Sequence, residues 1–414
     1  MVNLHPVQFK DIIGQEEIKK KLIGLFSQNR LSHALLFLGK EGNGSLSLAR
    51  AFAQYVLCDR TNGKKQPSSS MGLFGEPEPE TSNESQDLND SCGTCPSCQK
   101  SARLVHPDIH FTIPTISGIN KTRPTISSDL IEPWRKFILE NPYGNTYDWL
   151  QHIDAENKQG NITSEECNDI IRRMNLKSFE SGYKILIVWM TELFGNEGNK
   201  LLKLIEEPPP QTLLFFVAEN EGQILQTILS RTQLIKVPLL SKQDVAESLI
   251  SREKAEAGTA EIISAFCDGN YRDALLQLKH RDDQWEVMLR DWMNSILKSG
   301  PMAQVKWVEE TSKLGREKQK QFLQYFLHLI EMAITTEFKN SISAVEDGSP
   351  QAAQLDFAVK LRRICQFPQL EAMVSVLSDS IYQIERNANS KMLFHAVTIR
   401  LFHIISNKSV ILVH

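Results

Sequence analysis

The chain has 414 residues, 41% of them hydrophobic, which is enough for two or three domains that each bury a core. Its 46 basic and 50 acidic residues give a net charge of -4, which argues against a general attraction to nucleic acid or membrane. The first residues lack the pattern of a leader, and no apolar run approaches the roughly 18 to 20 residues that span a bilayer, so we expect a cytoplasmic protein.

The first strong pattern is a glycine-rich turn between a predicted strand at 34–38 and a predicted helix. Residues 39 to 46 read Gly-Lys-Glu-Gly-Asn-Gly-Ser-Leu, the outline of a phosphate-binding P-loop. In a working loop, Lys follows the last Gly to reach the phosphates, and a Ser or Thr then binds magnesium. Neither is present, so we expect ATP not to bind productively at a vestigial loop made of Gly39, Gly42, Gly44, Ser45 and Leu46.

The next pattern is a cysteine cluster. Three of the seven Cys lie between 92 and 98 with two-residue spacers, and Cys58 ends the predicted P-loop helix. Four thiolates suit tetrahedral zinc and leave no open position on the metal, so we predict a structural zinc site. An iron–sulfur cluster is the alternative, although the usual fourth nearby Cys followed by Pro is missing. The predicted zinc ligands are Cys58, Cys92, Cys95 and Cys98.

The remaining predicted strands alternate with helical patterns, which favours a parallel sheet with helices around it. These strands lie at 109–113, 184–190, 213–218 and 234–237. Two insertions interrupt them, a Ser- and Glu-rich segment at 60–91 that we expect to be disordered, and a segment at 115–160 with short amphipathic pieces. After Pro238 the pattern becomes helical to the end of the chain. His106-Pro107-Asp108 is interpreted as structural, and Cys167, Cys267 and Cys365 as buried core residues.

The strand at 184–188 is where a P-loop protein carries an acidic pair that organises magnesium and water. Here the strand ends in Trp189 and Met190, and Glu192 follows two residues later. Compensation by Glu192 is one alternative, and a glycine turn that never bound nucleotide is another. Two separate losses argue against hydrolysis.

Several short motifs follow one another in a fixed order. They are Phe9-Lys10-Asp11-Ile12-Ile13-Gly14-Gln15, Ser32-His33-Ala34-Leu35-Leu36-Phe37, the proline-stopped helix from Asn199 to Pro210, and Ser230-Arg231-Thr232. In this order they resemble the clamp-loader branch of the AAA+ ATPases, over well more than half of the chain. The resemblance implies an α/β AAA+ P-loop-type parallel-sheet domain with a zinc module at 58–98, a small helical lid domain and an all-α C-terminal collar domain for oligomerisation. The corresponding ranges are 1–238, 239–297 and 298–414.

The resemblance also implies roles for two arginines. Ser230-Arg231-Thr232 matches the family's Ser-Arg-Cys motif except for Thr, which makes Arg231 an arginine finger for the ATP of a neighbouring subunit. The alternative is a surface arginine in a local salt bridge. Arg272 matches the family's second arginine sensor within Gly269-Asn270-Tyr271-Arg272-Asp273-Ala274-Leu275. Because the chain's own nucleotide site is degenerate, we expect Arg272 to be structural.

The function that this resemblance implies, together with the degenerate loop, is a non-catalytic stator of a DNA sliding-clamp loader, acting in DNA replication within a polymerase holoenzyme. The expected partners are loader subunits of the gamma/tau and delta types in a hetero-oligomeric ring, with the sliding clamp and primer-template DNA contacted through the complex. One alternative is an active ATPase subunit of the gamma/tau type. Another is a zinc-module nucleic-acid binder, which the near-neutral charge and the lack of interleaved basic and aromatic residues disfavour.

Overall fold

The computed structural model describes residues 8–62, 89–119, 123–155, 158–180, 182–279, 285–335, 350–385 and 388–406. Contacts divide the chain into two compact units, Met1–His280 and Arg281–His414. Residues 63–88, most of the insertion predicted to be disordered, lie outside the described residues.

The first unit is built on a five-stranded sheet in the order β2-β3-β4-β1-β5, with every pairing parallel. The predicted strands are confirmed to within one residue at each end. Leu36 in the central strand β1 pairs with Phe216 on one side and Leu234 on the other. The strands are β1 Ala34–Leu38, β2 Ile109–Thr112, β3 Lys184–Trp189, β4 Thr212–Ala218 and β5 Gln233–Lys236.

Alternate side chains of the central strands enter two separate cores, as the two-residue period of a strand requires. On one face, Leu35, Ile187 and Phe215 join one hydrophobic cluster, whereas Leu36 and Phe216 join a cluster on the other. The sheet is therefore covered on both faces, which explains why its strands read as continuous apolar runs.

Eleven helices of the described residues surround or extend this sheet. They are α1 Glu16–Ser27, α2 Ser45–Leu57, α3 Pro96–Ala102, α4 Ile131–Glu140, α5 Thr146–His152, α6 Ser164–Met174, α7 Leu202–Glu206, α8 Gln226–Leu229, α9 Lys242–Glu253, α10 Ala257–Phe266 and α11 Tyr271–Lys279. Short 3-10 segments cover Phe9–Asp11, Ser127–Leu130 and Glu221–Gln223, and 3-10 turns interrupted at Gly195 cover Thr191–Leu201.

The insertion at 115–160 is ordered where it forms α4 and α5. Its Trp134, Phe137 and Trp149 are fully buried in the same cluster as one face of the sheet. Helices α9 to α11 build a further cluster with Ile13 and Tyr143. The insertion is thus an integral layer of the first unit rather than a surface loop.

All the secondary-structure elements described in the second unit are helices. Its helices are α12 Trp285–Asn294, a π-helical turn at Ser295–Ser299, α13 Pro301–Thr311, α14 Arg316–Thr335, α15 Pro350–Ile364, α16 Phe367–Glu385 and α17 Ser390–Ser406. Trp292 stacks on Trp307 with ring centroids 4.5 Å apart, and Phe322 and Phe394 pack around this pair. None of the helices described in either unit is long and apolar enough to cross a membrane.

Candidate functional site

The glycine turn between β1 and α2 is closed by one of its own side chains. Asn43 Oδ1 accepts hydrogen bonds from the Ser45 backbone N at 3.0 Å and from Ser45 Oγ at 2.7 Å. Asn43 Nδ2 donates to the Val237 carbonyl oxygen at 2.8 Å, and a Cβ on Gly39 would lie 1.9 Å from this nitrogen. In a phosphate-binding loop, N–H groups at the start of the helix point at the ligand. Here the Ser45 N–H is already hydrogen-bonded to the Asn43 side chain.

The start of α11 packs directly against the same turn. Gly42 has φ +73, and a Cβ there would lie 1.8 Å from Asn270 Oδ1. The Tyr271 backbone N donates to the Gly42 carbonyl oxygen at 3.1 Å. Both glycines that face these asparagines are needed to allow the approach. The contacts of Asn43 and Asn270 could not be predicted from the sequence, because no spacing rule marks an asparagine whose side chain fills a loop.

Arg272 makes the strongest polar contact beside the turn. Its side chain is 4% exposed, and Nε and Nη2 donate to the two carboxylate oxygens of Asp148 at 2.6 and 2.7 Å. Nη1 donates to Glu41 Oε1 at 3.1 Å. A paired fork of this kind satisfies a buried guanidinium far better than a single contact does. The arginine that the resemblance equates with a nucleotide sensor is therefore bound to two carboxylates of its own chain.

The residues at the end of β3 are occupied in packing and in main-chain contacts. Trp189 packs its ring near Trp134 and Phe137, at centroid distances of 6.4 and 6.1 Å. Glu192 Oε1 accepts hydrogen bonds from the backbone N of Glu219 at 2.9 Å and of Asn220 at 3.3 Å. Burial raises the pKa of the Glu192 carboxyl. Glu192 thus holds the segment that follows β4 in place.

Arg231 lies between α8 and β5 with 36% of its side chain exposed. Nε contacts Glu206 Oε1 at 2.5 Å, and Nη1 donates to the Thr227 carbonyl oxygen at 3.0 Å and to Ser230 Oγ at 3.2 Å. The local salt bridge of the alternative interpretation is therefore present. Exposed ion pairs contribute only about 0–1 kcal/mol to stability. Arg231 can therefore exchange Glu206 for a stronger anionic partner at little cost.

The four clustered cysteines converge as the sequence analysis predicts. The sulfur atoms of Cys58, Cys92, Cys95 and Cys98 all lie within 4.8 Å of one another. Four thiolates bound at about 2.3 Å in a tetrahedron would lie about 3.8 Å apart, and Cys92 and Cys98 are already separated by 3.9 Å. The cluster can therefore hold one metal ion with little adjustment.

Backbone N–H groups support these sulfur atoms. Cys92 N donates to Cys58 Sγ at 3.3 Å, Cys95 N to Cys92 Sγ at 3.3 Å, and Cys98 N to Cys95 Sγ at 3.4 Å. The contact between Cys58 and Cys98 lowers the pKa of the Cys58 thiol and raises that of the Cys98 thiol. Such N–H donors stabilise the thiolate form that binds metal.

His106 and Asp108 brace the cluster rather than join it. Ser97 Oγ donates to the Leu57 carbonyl oxygen at 2.8 Å and lies 3.0 Å from His106 Nε2. The Asp108 backbone N donates to His106 Nδ1 at 3.1 Å, and burial lowers the pKa of His106. These contacts tie α3 to the end of α2. The three cysteines outside the cluster, Cys167, Cys267 and Cys365, are buried as predicted.

Comparison with known proteins places these features in a family. Residues 14–72 and 80–241 match the family model described as "DNA polymerase III, delta subunit". The chain is 26% identical over 276 residues to DNA polymerase III subunit tau of Bacillus subtilis (strain 168), covering 65% of this chain and 37% of that protein. It is 24% identical over 239 residues to subunit delta' of the same organism, covering 58% and 52% respectively.

A third relative is DNA polymerase III subunit gamma of Buchnera aphidicola, 25% identical over 281 residues, which cover 66% of this chain and 58% of that protein. The chain thus spans 37% to 58% of the length of these relatives. The solved structure of a gamma subunit-related protein from Thermotoga maritima aligns over 94% of this chain and 99% of that one, at 14% identity and a TM-score of 0.35.

Proposed function

The chain belongs to the DNA polymerase III delta-subunit family of clamp-loader proteins, and from this premise we propose that it is a delta-prime-type, non-catalytic subunit of the loader. In this role it binds no nucleotide productively, hydrolyses no ATP and supplies Arg231 to the ATP site of a neighbouring subunit during sliding-clamp loading. The observation that carries the proposal is the contrast between a glycine turn filled by Asn43 and an arginine that stays exposed.

The lack of an own nucleotide site has support at each place where phosphate or magnesium would bind. Ser45 and Leu46 stand in the positions of the phosphate-binding Lys and the magnesium-binding hydroxyl. The Ser45 N–H is committed to Asn43, and Arg272 is committed to Asp148 and Glu41. A triphosphate would have to displace all of these contacts without gaining a lysine.

The chemistry assigned to Arg231 follows from its guanidinium. This group is charged at every physiological pH and can donate two parallel hydrogen bonds to phosphate oxygens as negative charge develops on them. The pair with Glu206 holds the side chain outside the first unit's core until a partner's phosphate replaces the carboxylate. Thr232 in place of the family's Cys leaves this donor geometry unchanged.

The metal that best suits the cysteine cluster is zinc, in a structural role. Cys58, Cys92, Cys95 and Cys98 supply four thiolates and no nitrogen or oxygen ligand, so a bound ion keeps no position open for substrate. When bound, zinc joins the end of α2 to the start of α3.

The proposed partners are loader subunits of the gamma/tau and delta types, with the sliding clamp and primer-template DNA contacted through the assembled complex. Relatives whose names carry tau, gamma and delta' support a multi-subunit setting. The helical second unit is the proposed oligomerisation domain.

The test is a loader reconstituted from gamma/tau-type and delta-type subunits with this chain carrying Arg231→Ala. Because an arginine finger stabilises the transition state by a factor of about 10³–10⁵, we expect DNA-stimulated ATP hydrolysis at the neighbouring site to fall by at least about a hundredfold. Normal hydrolysis by an assembled Arg231→Ala loader would remove the proposed role.

Two variants separate a finger from a surface salt bridge. Arg172 is also an exposed arginine, 75% accessible, in a local pair with Asp169, so Arg172→Ala should leave hydrolysis unchanged. Glu206→Gln breaks the same salt bridge as Arg231→Ala but keeps the guanidinium. If Glu206→Gln lowers hydrolysis as much as Arg231→Ala does, Arg231 acts only through its local pair.

A further inference from the structure

The segment from α4 to α5, residues 131–152, lies in the insertion to which the sequence analysis assigns no role, and it contacts the glycine turn. The Pro142 carbonyl oxygen accepts a hydrogen bond from Ser47 Oγ at 2.7 Å. A Cβ on Gly44, which has φ +86, would lie 2.7 Å from the ring of Tyr143. The start of α2 is therefore covered by the insertion.

Tyr143 also connects the turn to the helices that follow the sheet. It is 5% exposed, and its hydroxyl accepts a hydrogen bond from the Ile13 backbone N at 3.1 Å. Its ring meets that of Tyr271 edge to face, with centroids 5.0 Å apart. The insertion thus touches both the glycine turn and the first residue of α11.

The carboxylate of Asp148 is oriented by hydrogen bonds within its own segment, in addition to its contact with Arg272. Asn145 caps α5 by accepting a hydrogen bond from the Asp148 backbone N at 2.9 Å, while Asp148 Oδ2 accepts from the Asn145 backbone N at 3.1 Å. This reciprocal cap fixes the carboxylate at the start of the helix. The same carboxylate receives the fork of Arg272. Its orientation is therefore set within the insertion.

Arg272 needs an anion at this place. A guanidinium with 4% of its side chain exposed is costly to bury unless it is paired and hydrogen-bonded. At a glycine turn that receives nucleotide, phosphate oxygens supply the negative charge. Here Asp148 supplies one charge and Glu41, within the turn itself, supplies a second, while Asp273 of α11 lies farther away, at 3.9 Å from Nη1.

From this geometry we propose that residues 131–152 are a built-in ligand: Asp148, together with Glu41, takes the place of nucleotide phosphates against Arg272 and holds α9 to α11 onto the sheet without nucleotide. The inference rests on the proposed function, since it presumes that the chain has no nucleotide of its own. It implies a latent site for a diphosphate-class anion, which opens when the carboxylate of Asp148 is removed.

The test compares Asp148→Asn with Asp129→Asn. Asp129 lies in the same insertion, caps the turn at Ile126 and accepts a fork from Arg123, which is 51% exposed and belongs to the insertion itself. In the full chain, Asp148→Asn should raise the hydrogen-exchange rate of the α11 amides by roughly tenfold or more and lower Tm. Asp129→Asn should leave α11 exchange unchanged, and any loss of Tm that it causes comes from its own turn. The milder Glu41→Gln should act in the same direction as Asp148→Asn.

Added inorganic pyrophosphate then probes the vacated position. It should restore part of the lost Tm of Asp148→Asn at millimolar concentration, and it should do nothing for Asp148→Asn combined with Arg272→Met. Unchanged α11 exchange in both Asp148→Asn and Glu41→Gln would overturn the inference and leave the proposed function intact. Stabilisation of the unaltered chain by pyrophosphate or ATP would instead count against the absence of an own nucleotide site.

Discussion

At the residue scale, the site depends on which polar atoms are already paired. Asn43 uses its amide to pair with the Ser45 N–H and the Val237 carbonyl, so the Ser45 N–H that would point at a phosphate is engaged within the turn. Arg231 is paired too, but with an exposed carboxylate in a contact of low strength. Asn43 is buried, whereas the Arg231 side chain is partly exposed and is therefore accessible to a partner.

Glu192 gives a pH-dependent prediction at the same scale. Burial raises the pKa of its carboxyl in the folded state, so its contribution to stability is present below the unfolded pKa and is lost as the pH rises through the folded value. Glu192→Gln keeps an acceptor for the Glu219 and Asn220 N–H groups without a charge. The difference in Tm, variant minus parent, should therefore grow in favour of Glu192→Gln between pH 4 and pH 7.

Glu207→Gln, which alters an exposed glutamate directly after α7, is the control and should show no such trend. Thermal unfolding across this pH range measures both. A difference that stays constant with pH would mean that Glu192 is ionised as easily in the folded chain as in the unfolded one.

At the scale of elements, the cysteine cluster joins α2 to α3, which leads to a prediction about metal binding and stability. The purified chain should contain one zinc ion, and Cys95→Ala should abolish metal binding and cost at least about 2 kcal/mol, or roughly 4–8 °C in Tm for a unit of this size. A chelator should have the same effect on the parent chain.

Cys167→Ala is the matched control, because Cys167 is fully buried but lies outside the cluster. It should retain zinc and its sensitivity to chelator. Elemental analysis that finds iron in place of zinc would favour the iron–sulfur alternative, and an equal Tm for the chelated and metal-loaded chain would remove the structural role.

The strands and the cysteine cluster could be predicted from the sequence because their patterns are local. Apolar runs mark the buried strands, and two-residue spacers bring Cys92, Cys95 and Cys98 to one metal. The contact of Arg272 with Asp148 joins residues 124 positions apart, and no periodicity encodes it. The sequence assigns no role to the insertion at 115–160 for the same reason. Its role depends on the residues that α5 contacts in the folded chain.

At the scale of the whole molecule, the chain combines a unit that carries the glycine turn and Arg231 with a separate helical unit. Family membership makes both an active ATPase subunit and a delta-prime-type subunit relevant comparisons, since relatives carry the names tau, gamma and delta'. The filled turn and the internally paired Arg272 favour the second. The division of labour proposed for the loader is thus one in which this chain acts on the nucleotide of a neighbour.

The most direct test of this account is an equilibrium titration of the isolated, full-length chain with labelled ATP in the presence of magnesium. The account predicts no saturable binding up to millimolar nucleotide, because the Ser45 N–H and the Arg272 guanidinium are already paired with Asn43, Asp148 and Glu41, and no lysine follows the last glycine of the turn. Saturable binding at micromolar ATP would contradict it and would favour the active gamma/tau-type subunit.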